Sequence, residues 1–181
     1  VAGALSMLGS LAMQFGRSTG KRGALREAIG AFDDNGQWHR LIPNPAAYQK
    51  IMEPHSRGAL LVAAVFDAFL AIYKARTADL YRIYTGGSGV LQPGAIHPDL
   101  VNRLAAEATK SASHVLGICI RALDYVPPVD ITFGEYLRGI ITADADLVED
   151  DQYGYRVAFV EAFRRRGIYP NDLPTLSVDT L

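Results

Sequence analysis

The chain has 181 residues, 49% apolar and 20% charged, which is enough material for a sizeable core and excludes a disordered segment. Eighteen basic residues against nineteen acidic ones leave a net charge of −1, so no cationic excess is available for nucleic-acid backbones. The single cysteine, Cys119, excludes an internal disulfide and any four-cysteine zinc site; with no basic leader segment and cleavage site in view, a reducing, cytoplasmic setting is favoured.

The chain opens on Val1, and its first fifteen residues already read as helix: Leu5, Leu8, Leu11, Ala12 and Phe15 recur at three- and four-residue intervals. No capping residue precedes them, so the chain is expected to be a piece cut from a longer protein. A polar loop, 17–21, leads to a short helix over 23–29, with Gly30 as its C-cap. Asp33 to Gly36 is a turn signal, followed by a loop holding Trp38, Pro43 and Pro45. Residues 46–52 could make two helical turns.

The segment from Ser56 to about Tyr84 is the longest helix candidate. Its half up to Tyr73 is apolar nearly all round, as in a helix buried at a domain centre. The apolar run from Gly58 to Tyr73 is about one short span and contains Asp67, so a membrane crossing is disfavoured. Asp67 needs a partner in such surroundings, and a structural hydrogen bond or salt bridge is the expected role. Thr85 to Gly94 is the most linker-like stretch.

Pro98 occupies an N1 position before a helix to about Leu123, whose buried stripe is expected at Val101, Leu104, Ala108, Val115, Cys119 and Ala122 or Leu123. Pro127 and Pro128 break the chain. Thr132 to Glu135 then forms a T-x-x-E capping box ahead of a helix carrying Tyr136, Leu137, Ile140 and Ile141. Asp150 or Asp151 caps a last helix through Val157, Val160, Ala162 and Phe163, ending in Arg164, Arg165, Arg166 and Gly167. No convincing strand alternation appears. The expected fold is all-α: an irregular helical bundle around a central buried helix at about 57–84, with no substantial sheet. One helical domain, 1–169, would be followed by an extended tail, 170–181.

Several motifs fail on inspection. The run from Gly16 to Lys21 is one residue short of a phosphate-binding loop, and Arg22 stands where a Ser or Thr should hold magnesium. The run from Gly86 to Val90 lacks the final glycine of a nucleophile elbow. Asp144, Asp146, Glu149, Asp150 and Asp151 look calcium-like, but Glu149 replaces the turn glycine, and a solvated acidic turn that caps a helix is the expected role. His39, His55, His97 and His114 form no H-x-x-x-H pair and no H-E-x-x-H, so no zinc is expected in this chain itself.

The informative segment runs from Tyr48 through Glu53, Pro54, His55 and Gly58 to Phe69 (YQKIMEPHSRGALLVAAVFDAF), with Gly23 to Ile29 (GALREAI) upstream. This order resembles the C-terminal lobe of thermolysin-like zinc metallopeptidases, the gluzincins: an A-L-R segment, a histidine, a small-residue helix start and a long buried helix. Val115 to Asp124, Phe133 to Thr142 and Gly154 to Arg166 look like the family's last three helices. The resemblance covers 1 to about 169. The stretch 74–99 is longer than in the simplest members, and the interval from His55 to Gly58 is one residue shorter than usual.

The resemblance implies a catalytic role for His55, donating to the oxyanion that develops as water attacks the scissile carbonyl. It implies a substrate-binding role for Arg26, holding the substrate carbonyl on the leaving side. The family's zinc ligands and glutamate base lie N-terminal to the part matched, so zinc is expected only in the full-length parent. The implied partners are the missing N-terminal catalytic lobe and a peptide substrate, with neither nucleic acid nor membrane; a homo-dimer through the exposed lobe face is also open. On this reading His55 and Arg26, 29 residues apart, share one concave surface. The alternative is a non-catalytic helical interaction module or a degenerate peptidase lobe.

Overall fold

A computed structural model describes residues 28–35, 38–90, 94, 96–173 and 176–181. The fold is all-α. Five helices are found among the described residues: α1 (Ala47–Lys50), α2 (Pro54–Tyr84), α3 (Pro98–Arg121), α4 (Phe133–Leu147) and α5 (Tyr155–Arg164), with short 3-10 turns at Ala122–Tyr125 and Val178–Thr180. The opening helix expected over 1–15 and the second over 23–29 lie outside the described residues, apart from the last two positions of the second. The chain divides into two compact units, one of residues up to Phe66 with 162–169, the other of 67–161 with 170–181.

In the first unit, a small antiparallel ribbon stands where only a helix cap, a turn and a loop were expected. Strand β1 (Gly30–Phe32) pairs with β2 (Trp38–Arg40), Gly30 opposite Arg40. Gly30 is thus a strand residue rather than a C-cap, and Trp38 leaves the loop. Three residues a side are too few for a period-two pattern to show in sequence. The turn is fastened by Asp33, whose Oδ1 accepts from the Asn35 N–H at 3.0 Å and whose Oδ2 meets His39 Nε2 at 2.9 Å.

The same unit holds α1, the start of α2 and the end of α5. Asn44 Oδ1 accepts from the Ala46 N–H at 3.0 Å just ahead of α1. Beyond α5, Gly167 adopts φ +68° and lies so close to Pro45 that a Cβ there would sit 1.9 Å from the Pro45 carbonyl oxygen. Only glycine satisfies both the left-handed backbone and that approach.

In the second unit α3 begins as the proline pattern implies, with Pro98 in its first turn and His97 Nδ1 accepting from the Asp99 N–H at 3.1 Å. Its buried residues are Glu107, Ser111, Val115 and Ile118, followed by Ala122 in the 3-10 turn. Val101, expected in the core stripe, is exposed; of the two residues expected to end the stripe, Ala122 is buried and Leu123 is exposed. The core face of α3 is therefore rotated toward a polar pair of positions, which their own hydrogen bonds make tolerable.

Helix α4 starts on Thr132, whose hydroxyl accepts from the Glu135 N–H at 3.1 Å, as the T-x-x-E spacing implies. It buries Leu137, Ile140 and Ile141, and Gly139 passes close under the Ala122 carbonyl. Helix α5 is capped by Asp151, whose two carboxylate oxygens accept from the N–H groups of Tyr155 and Arg156 at 2.7 and 2.9 Å.

Helix α2 has 31 residues and a mean hydropathy of 1.8 over its most apolar 18-residue window, of which 39% is buried inside the protein. By length and composition it is therefore long enough to cross a membrane, contrary to the short span read from 58–73, because the helix continues to Tyr84. A buried core helix has the same composition. Asp67 is buried within it.

Candidate active site

His55 sits in the first turn of α2, and the local sequence explains its posture. Pro54 supplies a preset φ and no N–H at the helix start, where a donor would be unused. Glu53, just ahead, turns its carboxylate back over the turn: Oε2 accepts from the Ser56 N–H at 2.6 Å, and Oε1 meets His55 Nδ1 at 2.8 Å. The His55 hydrogen bond, then the Ser56 N–H, hold the Glu53 carboxyl down at about 2, so it is ionised across the physiological range.

The chemical consequence follows from the ring's two nitrogens. With Nδ1–H directed at Glu53, the Nε2 edge is left for an external partner, and 65% of the His55 side chain is open to solvent. A carboxylate on one nitrogen fixes the ring's orientation. As imidazolium, His55 can donate from Nε2 while remaining anchored through Nδ1. Two residues on, the Arg57 guanidinium lies 4.4 Å above the Tyr48 ring, joining α1 to the first turn of α2.

Arg26 lies outside the described residues, as does the shared surface expected of Arg26 and His55. The remaining histidines each have local work: His39 at the ribbon turn, His97 at the start of α3 and His114 against Asp144. Among the described residues no group of three or more His, Cys, Asp or Glu side chains comes together as a metal site. Glu53 escaped the sequence reading, although an acidic residue before a Pro-His helix start is a recognisable capping signal.

A second polar assembly occupies the second unit. Asp144, 2% exposed, receives His114 Nε2 on Oδ1 at 2.8 Å and Arg156 Nε on Oδ2 at 2.9 Å. Arg156 also donates to the Val148 carbonyl, and the His114 and Tyr155 rings lie 4.3 Å apart. Nearby on α2, Arg76 reaches Glu107 of α3 at 2.6 Å and stacks on Tyr153 at 4.4 Å, while Lys110 adds a 3.2 Å bond to Glu107.

Asp144 is therefore not part of a solvated acidic turn. It is a buried helical residue whose charge is matched by partners 30 positions before and 12 after it. These groups bond one another and tie four helices, a structural arrangement in character. Cys119 is equally a packing residue: burial pushes its thiol up, and its backbone carbonyl accepts from the Tyr136 hydroxyl at 2.7 Å.

No protein-family profile, curated protein or solved structure matches the chain.

Proposed function

We propose that this chain is the C-terminal helical lobe of a gluzincin-type zinc metallopeptidase and forms one wall of its peptide cleft. The observation that carries the reading is the exposed His55 imidazole, anchored through Nδ1 to Glu53 at 2.8 Å, with its Nε2 edge directed away from that anchor. Zinc, held with its glutamate base by the missing N-terminal lobe, would supply the activated water. His55 then donates from Nε2 to the oxyanion as charge develops on the scissile carbonyl. A donor aimed at charge absent from the ground state lowers the barrier without tightening substrate binding. Arg26, through its planar fork of N–H donors, would hold the neighbouring substrate carbonyl.

The sequence upstream of this chain in its parent tests the reading. An H-E-x-x-H motif followed by a glutamate on the next helix is expected, together with stoichiometric zinc and peptidase activity in the full-length protein. A parent without those ligands sinks it. The exposed apolar side of α3 favours the second reading, a helical interaction module, which would need no such motif.

A further inference from the structure

Helix α3 has an exposed side unlike that of an ordinary surface helix. At 100° per residue its five Lys, Arg, Asp and Glu residues, Asp99, Arg103, Glu107, Lys110 and Arg121, fall within a sector of about 80°. The buried line through Ser111, Val115 and Ile118 takes a second sector. The third is uncharged along the whole helix, yet it faces water: Leu116 is 61% exposed, Ile120 59% and Val101 47%, and Ala105, Thr109 and Ala112 are exposed between them. Surface helices normally place charge there.

We infer that this side of α3 is a self-association surface, and that its occupant is the same helix of a second copy, antiparallel. The two copies fit by size under two-fold symmetry, in which residue i meets j and j meets i. The third sector consists of two adjacent i, i+4 ridges, Val101–Ala105–Thr109–Ser113 and Ala108–Ala112–Leu116–Ile120. Laid antiparallel with the two-fold axis between positions 110 and 111, the first ridge of one copy lies beside the second ridge of the other. Leu116 then faces Ala105, Ile120 faces Val101, and Ala112 faces Thr109. At the middle, small residues let the backbones approach, and farther out each large side chain has a smaller one opposite.

In this register every charged side chain of α3 points away from the contact, so no charge is desolvated. The open residues of the two ridges leave roughly 600 Å² per copy, and pairing takes about 1,000 Å² out of water, the size from which specific interfaces begin. The inference does not depend on the peptidase reading.

The full 181-residue chain tests it directly. Sedimentation equilibrium between about 1 and 200 μM should show reversible monomer–dimer exchange. Ala112→Glu, beside the symmetry axis, should leave the chain monomeric over that range with unchanged far-UV circular dichroism. In a Cys119→Ser background, chains carrying Ala105→Cys and chains carrying Leu116→Cys should form a disulfide only when mixed. Either variant alone should not cross-link, because its two copies of the cysteine would lie about 16 Å apart along the axis. A chain that stays monomeric at 200 μM overturns the inference, as does cross-linking of Ala105→Cys to itself as fast as to Leu116→Cys.

Discussion

At the scale of single residues, Glu53 carries a pH dependence whose sign can be worked out. Its carboxyl titrates at about 2 rather than the ordinary 4.5, held down by His55 and then by the Ser56 N–H. A depressed carboxyl contributes stability that is complete above about 4.5 and is lost as pH falls toward 2. The first turn of α2 should therefore keep its amide protection at pH 5 and lose it on acidification through that window. Hydrogen exchange at Ser56 checks this; identical acid sensitivity in Glu53→Gln would assign the effect to another group.

The helices differ in how much of them the sequence discloses, and the reasons are physical. Boundaries marked by backbone chemistry are legible: Pro98 at the start of α3, Thr132 with Glu135 at the start of α4, Asp151 before α5. Which face is buried is legible only when one face alone is apolar. Helix α3 is apolar on two sides, and its core side includes Glu107 and Ser111, made tolerable by Arg76, Lys110 and a backbone carbonyl. Periodicity alone could not choose between those sides, so Val101 was misplaced. Asp144 was misread for a related reason: its partners, His114 and Arg156, are distant in sequence, so it looked like one more member of an acidic run. His55 as a site residue rests on resemblance, and the carboxylate beside it was visible only as a capping signal. The same holds for Arg26.

Two substitutions probe these elements. Asp144→Ala leaves His114 and Arg156 facing a buried vacancy and should destabilise the second unit by about 3–5 kcal/mol, the range for breaking a buried ion pair from one side. Gly139→Ala places a Cβ 2.6 Å from the Ala122 carbonyl oxygen, so α4 must shift from the 3-10 turn, at about 1–3 kcal/mol. Denaturant unfolding measures both. Changes within ±0.5 kcal/mol, ordinary for surface positions, would mean that these contacts do not hold the unit together.

For the whole molecule, composition and helix signals were enough to establish the all-α class. The three-residue strands of the ribbon were too short to register. The peptidase reading assigns the metal and the base to a lobe outside this chain, so the isolated 181 residues should hydrolyse no peptide and bind no zinc tightly. Stoichiometric zinc on the isolated chain would place a metal site in this lobe and overturn that division of labour.

Whether His55 acts on the transition state is decided by steady-state kinetics of His55→Ala in the full-length parent, with zinc content measured on the same samples. The expected result is a kcat lower by about 10²-fold, the scale of one lost oxyanion donor, with KM little changed and zinc unaltered. An unchanged kcat, or a loss of activity that tracks a loss of zinc, would contradict it.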